Sequence, residues 1–125
     1  PDIVRQIVAL CADAALVGIT VMTPSVLLAR LLTRAIRRSL DAPVIWGGVH
    51  PTLCPVESLA DADLACVGEG EQTIVELARR IASGADYADV PGLGRRSAGG
   101  ETVVNPPYPL QTNLDALPFP DYDFG

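Results

Sequence analysis

The chain has 125 residues, 49% of them hydrophobic, with 9 basic and 15 acidic side chains and a formal net charge of −6 at pH 7. That length and apolar content suit one domain with one core and are too small for two enzyme domains. The acidic balance argues against a nucleic-acid face, which needs clustered Lys and Arg. All the basic residues are Arg, and Arg30, Arg34, Arg37 and Arg38 recur at the spacing of a solvated helix face.

Cys11, Cys54 and Cys66 are an odd set with no close pair, so neither a disulfide framework nor a zinc ribbon is indicated, and a cytoplasmic setting is expected. No apolar run approaches the roughly 18 residues of a spanning helix, so no membrane partner is expected.

Residues 2–12 carry Ile3, Val4, Ile7, Val8, Leu10 and Cys11 near a 3.6-residue period, which predicts an amphipathic helix. The run ALVGITVM (residues 15–22) reads as a strand covered on both faces. Thr23-Pro24 supplies an N-cap hydroxyl and a first-turn proline for a helix to about Leu40, with Leu27, Leu28, Leu31, Leu32, Ala35 and Ile36 as its core stripe. PVIW (residues 43–46) is a second strand, ended by Gly47-Gly48 and a loop with His50 and Pro51.

One helical turn is expected over residues 56–60, then a third strand, LACV (residues 64–67), running into Gly68-Glu69-Gly70. Residues 71–83 read as a helix with Ile74, Val75, Ala78 and Ile81 inward and Gly84 as its C-terminal cap. Strands alternating with crossover helices predict an α/β doubly wound, parallel, three-layer domain over residues 1–92. Residues 93–106 read as a small hairpin turning at 97–100, and the prolines of residues 107–125 as an extended linker.

Ligands of such sheets sit outside the carboxyl ends of the strands, which brings residues 20–25, 47–52 and 68–71 to one edge. Gly47 and Gly48 let a ligand approach the backbone, though a tight turn explains the pair as well. Thr20 and Thr23 offer hydroxyls and Met22 a packing surface, and Thr23 has a competing role as N-cap. His50 is the sole histidine, which rules out a two-histidine metal site. Glu69 and Glu71 flank Gly70 at a helix start, where capping is the simpler role, and no nucleophile is placed beside them.

Taken together, TVMTPS (residues 20–25), IWGGVHPT (45–52), CVGEGE (66–71), VPGL (90–93), NPP (105–107) and LDALPFPDYDF (114–124) stand in an order that resembles the cobalamin-binding domains preceding radical S-adenosylmethionine domains. The resemblance spans essentially the whole chain. Thr20-Val21-Met22 resembles the family's Ser-x-Leu element and Gly47-Gly48 its Gly-Gly pair, whereas the Asp-x-His-x-x-Gly loop whose His can ligate cobalt is missing. The resemblance therefore implies a cobalamin-binding module, flavodoxin- or Rossmann-like in fold, without a histidine on cobalt. Thr20, Met22, Thr23, Gly47, Gly48, Val49 and His50 become the expected cofactor contacts, with Gly68, Glu69 and Gly70 as second choices.

It implies too that the intact protein performs a radical reaction, often methyl transfer, with S-adenosylmethionine and a 4Fe-4S cluster held by its own radical S-adenosylmethionine domain. Neither is expected on this chain, which lacks the Cys-x-x-x-Cys-x-x-Cys triplet, and no catalytic residue is expected on it. The strand-helix-strand that opens the family's domain is also missing, which should leave residues 15–22 as an edge strand covered by a second copy, a homodimer. Two rival readings stand beside this one: a nucleotide- or flavin-binding protein, whose phosphate fingerprint lacks its third glycine, and a non-catalytic interaction module.

Overall fold

A computed structural model describes residues 2–123; Pro1 and the last two linker residues, Phe124 and Gly125, lie outside the described residues. In chain order it contains α1 (Asp2–Leu10), β1 (Val17–Thr20), α2 (Val26–Ser39), β2 (Val44–Gly47), α3 (Val49–Leu53), α4 (Pro55–Ser58), β3 (Leu64–Cys66), α5 (Gly70–Ser83), β4 (Leu93–Arg96) and β5 (Thr102–Val104), with a 3-10 turn at Thr23–Ser25. The stretch after Gly48, expected as a loop, is the short helix α3. Its Pro51 falls in the first turn, where a missing N–H breaks no helical bond.

The five strands form one sheet in the order β1-β2-β3-β4-β5. The first three are parallel, in the register Val17↔Val44 and Ile45↔Leu64. β4 runs antiparallel to β3, so the sheet is mixed rather than wholly parallel. The cause is the segment after α5, which climbs the length of the sheet before turning. Val67 N–H donates to the Gly92 carbonyl at 2.8 Å, which brings that segment to the upper end of β3, and β4 can then only descend. The 93–106 hairpin forms as expected, closed by Ser97 N–H to the Glu101 carbonyl at 2.7 Å, and it continues the main sheet.

Helices cover both faces. On one, α1 and α2 pack over Val17, Val21, Val44 and Trp46; on the other, Leu77 of α5 packs over Ile45, Leu64, Cys66 and Leu93. The buried stripe of α2 is Ala29, Thr33 and Ile36, not the expected leucines: Leu27, Leu28 and Leu31 face outward. Trp46, fully buried, explains the rotation. Its indole fills the space between sheet and helix, so small residues must face it, and its N–H needs an acceptor, which Thr33 Oγ1 provides at 2.8 Å. Thr33 in turn donates to the Ala29 carbonyl at 2.7 Å.

In α5 the same shift occurs. Thr73 and Leu77 are buried, Ile74 and Val75 stay 37% and 48% exposed, and Thr73 donates to the Pro91 carbonyl at 2.9 Å. Gly84 ends α5 as expected, in the left-handed conformation at φ 69°. The arginine face of α2 is only partly solvated, because Arg30 pairs with Asp61 at 2.8 Å and Arg37 with Asp63 at 3.4 Å, tying α2 to the segment before β3.

Candidate functional site

Parallel pairing places the carboxyl ends of β1, β2 and β3 at one edge, and every site residue expected from the sequence lies there: Thr20 and Gly47 end β1 and β2, and the others stand in the segments that follow the three strands. The first two loops are tied together. Val21 N–H donates to the Gly47 carbonyl at 2.8 Å and His50 N–H to the Val21 carbonyl at 3.1 Å.

Thr23 does not cap α2 with its side chain. Its hydroxyl lies 3.3 Å from His50 Nδ1, while Ser25 closes the 3-10 turn that precedes α2: Met22 N–H donates to Ser25 Oγ at 3.2 Å, and the Ser25 hydroxyl donates back to the Met22 carbonyl at 2.9 Å. His50 is only 7% exposed, so it belongs to the support beneath the edge. Thr20, Met22, Thr23, Gly48 and Val49 are exposed upon it.

The two glycines of the pair differ in cause. Gly48 has φ 97°, and a Cβ there would lie 3.2 Å from both Thr20 Cγ2 and the Val21 carbonyl oxygen, so the chain itself demands glycine. Gly47 is under no such demand, since its Cβ would meet nothing nearer than Cys66 Cβ at 3.8 Å. Gly18, mid-strand in β1, is the same case: exposed, with its nearest neighbour Ile45 Cγ2 at 3.8 Å.

The pairing Gly18↔Ile45 and Thr20↔Gly47 puts both glycines on the face of the sheet that carries α5. α5 covers Ile45 and the strands beyond it, and Gly18 and Thr20 remain uncovered. A bare strip of sheet therefore leads up to the edge. Gly18 was missed by the sequence reading, and its signal was available: a glycine inside an apolar strand marks close approach by something else.

The third loop is differently occupied. Gly68 (φ 86°) has Pro107 of the tail 3.4 Å from its Cβ position, Gln111 N–H donates to Glu69 Oε2 at 2.9 Å, and Gly70 is the first residue of α5. The tail thus lies against the second-choice residues. A groove of about 760 Å³ between α5 and the tail, lined by Val75, Tyr108 and Phe119 among others, includes none of the expected contacts.

Residues 20–25 and 47–53 contain no ionisable side chain except His50, so the edge is close to uncharged, and acidity enters only with Glu69 and Glu71. Burial pushes the Cys66 thiol up, the Glu71 carboxylate adds to that, and the Thr73 hydroxyl works against it. Among the described residues no group of three or more His, Cys, Asp or Glu side chains could hold a metal, and no helix is long and apolar enough to cross a membrane.

The family model described as the B12 binding domain matches residues 1–78. The chain belongs to the B12-binding domain family. An uncharacterised methyltransferase of Pyrococcus horikoshii, PH0819, is 30% identical over 115 residues, 89% of this chain and 25% of that protein. Among solved structures, the radical S-adenosylmethionine methyltransferase TsrM of Kitasatospora setae, with cobalamin and a 4Fe-4S cluster bound, matches at a TM-score of 0.69 and 32% identity, over 89% of this chain and 21% of that one.

The cobalamin-dependent S-adenosylmethionine radical enzyme OxsB, with aqua-cobalamin bound, shares the fold at a TM-score of 0.73 and 22% identity, over 86% of this chain and 16% of its own. This B12-binding domain therefore spans a quarter or less of the relatives it matches. The homodimer expected from the open edge of β1 gains no support from these likenesses.

Proposed function

We propose that this B12-binding domain holds cobalamin against the carboxyl edge of β1 and β2, as one part of a longer radical S-adenosylmethionine enzyme. The observation that carries the reading is the near-neutral carboxyl edge on which Thr20, Met22, Thr23, Gly48 and Val49 stand exposed. Gly18, exposed, and Gly47, half-buried, lie on the approach to that edge where the fold itself would accept a Cβ, and a strand glycine costs stability that a ligand's approach justifies. The near-neutral edge above the strip suits a macrocycle whose rim carries uncharged amides, with Thr20, Thr23 and backbone groups as hydrogen-bonding partners.

In this reading Thr20, Met22, Thr23, Gly47, Gly48 and Val49 touch the cofactor, with Gly18 beneath it. His50 contributes by holding Thr23. Gly68, Glu69 and Gly70 border the site on the side where the tail crosses. Bound there, cobalamin would supply a cobalt centre able to carry an alkyl group. The chemistry belongs to a radical S-adenosylmethionine domain elsewhere in the intact protein, with methyl transfer as the reaction class, and the setting is the reducing cytoplasm that three free thiols favour. A nucleotide or flavin at the start of α5 is disfavoured by the carboxylates of Glu69 and Glu71, which would face its phosphates.

Titration with hydroxocobalamin, followed by gel filtration and the visible spectrum of the protein peak, tests the reading. Corrinoid should co-elute with the wild type and be lost from Gly18→Val and Gly47→Val, both of which should fold. Gly48→Val is the wrong probe, because it would strain the turn. No retained corrinoid, either by this chain or by one extended with its flanking sequence, would sink the assignment.

A further inference from the structure

β2 and β3 pair only at Ile45↔Leu64 and Trp46↔Ala65. The loops that follow the two strands both border the proposed cofactor site. One side chain bridges them. Thr52, in the second turn after Gly48, donates its hydroxyl to the Gly48 carbonyl at 2.8 Å, and the same oxygen accepts the Gly68 N–H at 3.1 Å. Both glycines have positive φ, 97° at Gly48 and 86° at Gly68, so neither carries a side chain that could set the spacing itself.

Beyond Gly68 the connection continues through Glu69, whose carboxylate accepts the Gln111 N–H of the tail at 2.9 Å. A single hydroxyl thus joins the turn under the cofactor edge to the loop that anchors the tail. Thr52 is half-buried, with donor and acceptor capacity both used inside the chain, so it has no need to touch a ligand to matter for binding.

We propose that Thr52 is a positioning residue: its hydroxyl sets the separation of the Gly47-Gly48 turn from the Gly68-Glu69-Gly70 loop, and thereby the width of the edge that receives the corrinoid. The proposal rests on the cobalamin-binding reading and adds a residue that reading does not need. Preorganising two loops before binding removes an ordering cost that would otherwise reduce affinity.

The test compares wild type, Thr52→Val, which keeps the shape and loses the hydroxyl, and Thr52→Ser, which restores it. Hydroxocobalamin affinity is read from the visible spectrum, and amide hydrogen exchange at Gly68 is read without cofactor. Thr52→Val should bind about tenfold more weakly and exchange faster at Gly68, whereas Thr52→Ser should lie close to wild type in both.

Equal affinity in wild type and Thr52→Val would overturn the positioning role and leave the cobalamin reading intact. A Thr52→Ser variant as weak as Thr52→Val would overturn it too, since packing and not the hydroxyl would then matter. A wild type that binds no corrinoid even when extended overturns the reading and this proposal together.

Discussion

Thr33, in the core, shows how a single residue sets the geometry of this domain. Thr33 is fully buried and satisfied twice, as acceptor from the Trp46 indole and as donor to the Ala29 carbonyl. Thr33→Val keeps the volume and orphans the indole N–H, and the expected loss is about 1–3 kcal/mol by chemical denaturation. Thr33→Ser should lose less, because the acceptor remains.

Cys66 makes a prediction about pH. Its thiol is held above its ordinary value by burial, so the folded chain keeps the proton at a pH where the unfolded chain has released it. The native state then binds more protons than the unfolded one, and stability falls as pH rises past about 8.5, the unfolded thiol's range, toward the raised folded value. Stability below that range is unaffected by this group. The companion measurement is thiol labelling at pH 8: Cys66 should react far more slowly than Cys11 and Cys54, which are partly exposed.

At the scale of elements, the glycines that bound α5 and β4 separate local from tertiary demands. Gly84 caps α5 with φ 69° and nothing within 4 Å of its Cβ position, so Gly84→Ala should cost only the left-handed backbone, about 1 kcal/mol. Gly92 has φ 77° and a Cβ position 2.9 Å from Thr73 Oγ1 and 3.1 Å from the Val67 carbonyl oxygen. Gly92→Ala should therefore cost more, about 3 kcal/mol, by adding displacement of the α5–β4 junction to the backbone strain. Thermal melts of the two variants check the order; equal losses would mean that the junction yields freely. The cap at Gly84 was legible because it follows a periodic helix. The crowding at Gly92 was not, since the atoms that crowd it lie on α5 and on Val67, just past β3.

For the whole molecule, a ligand that binds only the folded state must raise its stability in proportion to occupancy. Hydroxocobalamin should shift the melting midpoint upward with concentration, corresponding to about 2.7 kcal/mol at a hundredfold excess over the dissociation constant. A midpoint indifferent to cobalamin, in the presence of spectral binding, would mean that folded and unfolded chains bind it equally well, and a lowered midpoint that the unfolded chain is preferred.

The sequence by itself determined the alternation of strands and helices, the edge at which the loops 20–25, 47–52 and 68–71 meet, the cap at Gly84 and the hairpin turn at 97–100. All of these follow from local periodicity and turn chemistry. It determined the family as well, through motifs whose order no single loop could supply. What only the tertiary structure decided is which side of each helix is inside and which glycines the chain needs for itself. A count of apolar residues passes over Thr33 and Thr73, whose hydroxyls engage the Trp46 indole and the Pro91 carbonyl, both distant in sequence, so the buried stripe of each helix is rotated from the apolar one. The separation of Gly48, crowded by Thr20 and Val21, from Gly18 and Gly47, where a Cβ would meet nothing nearer than 3.8 Å, depends on what lies across the sheet, a relation that no local pattern encodes.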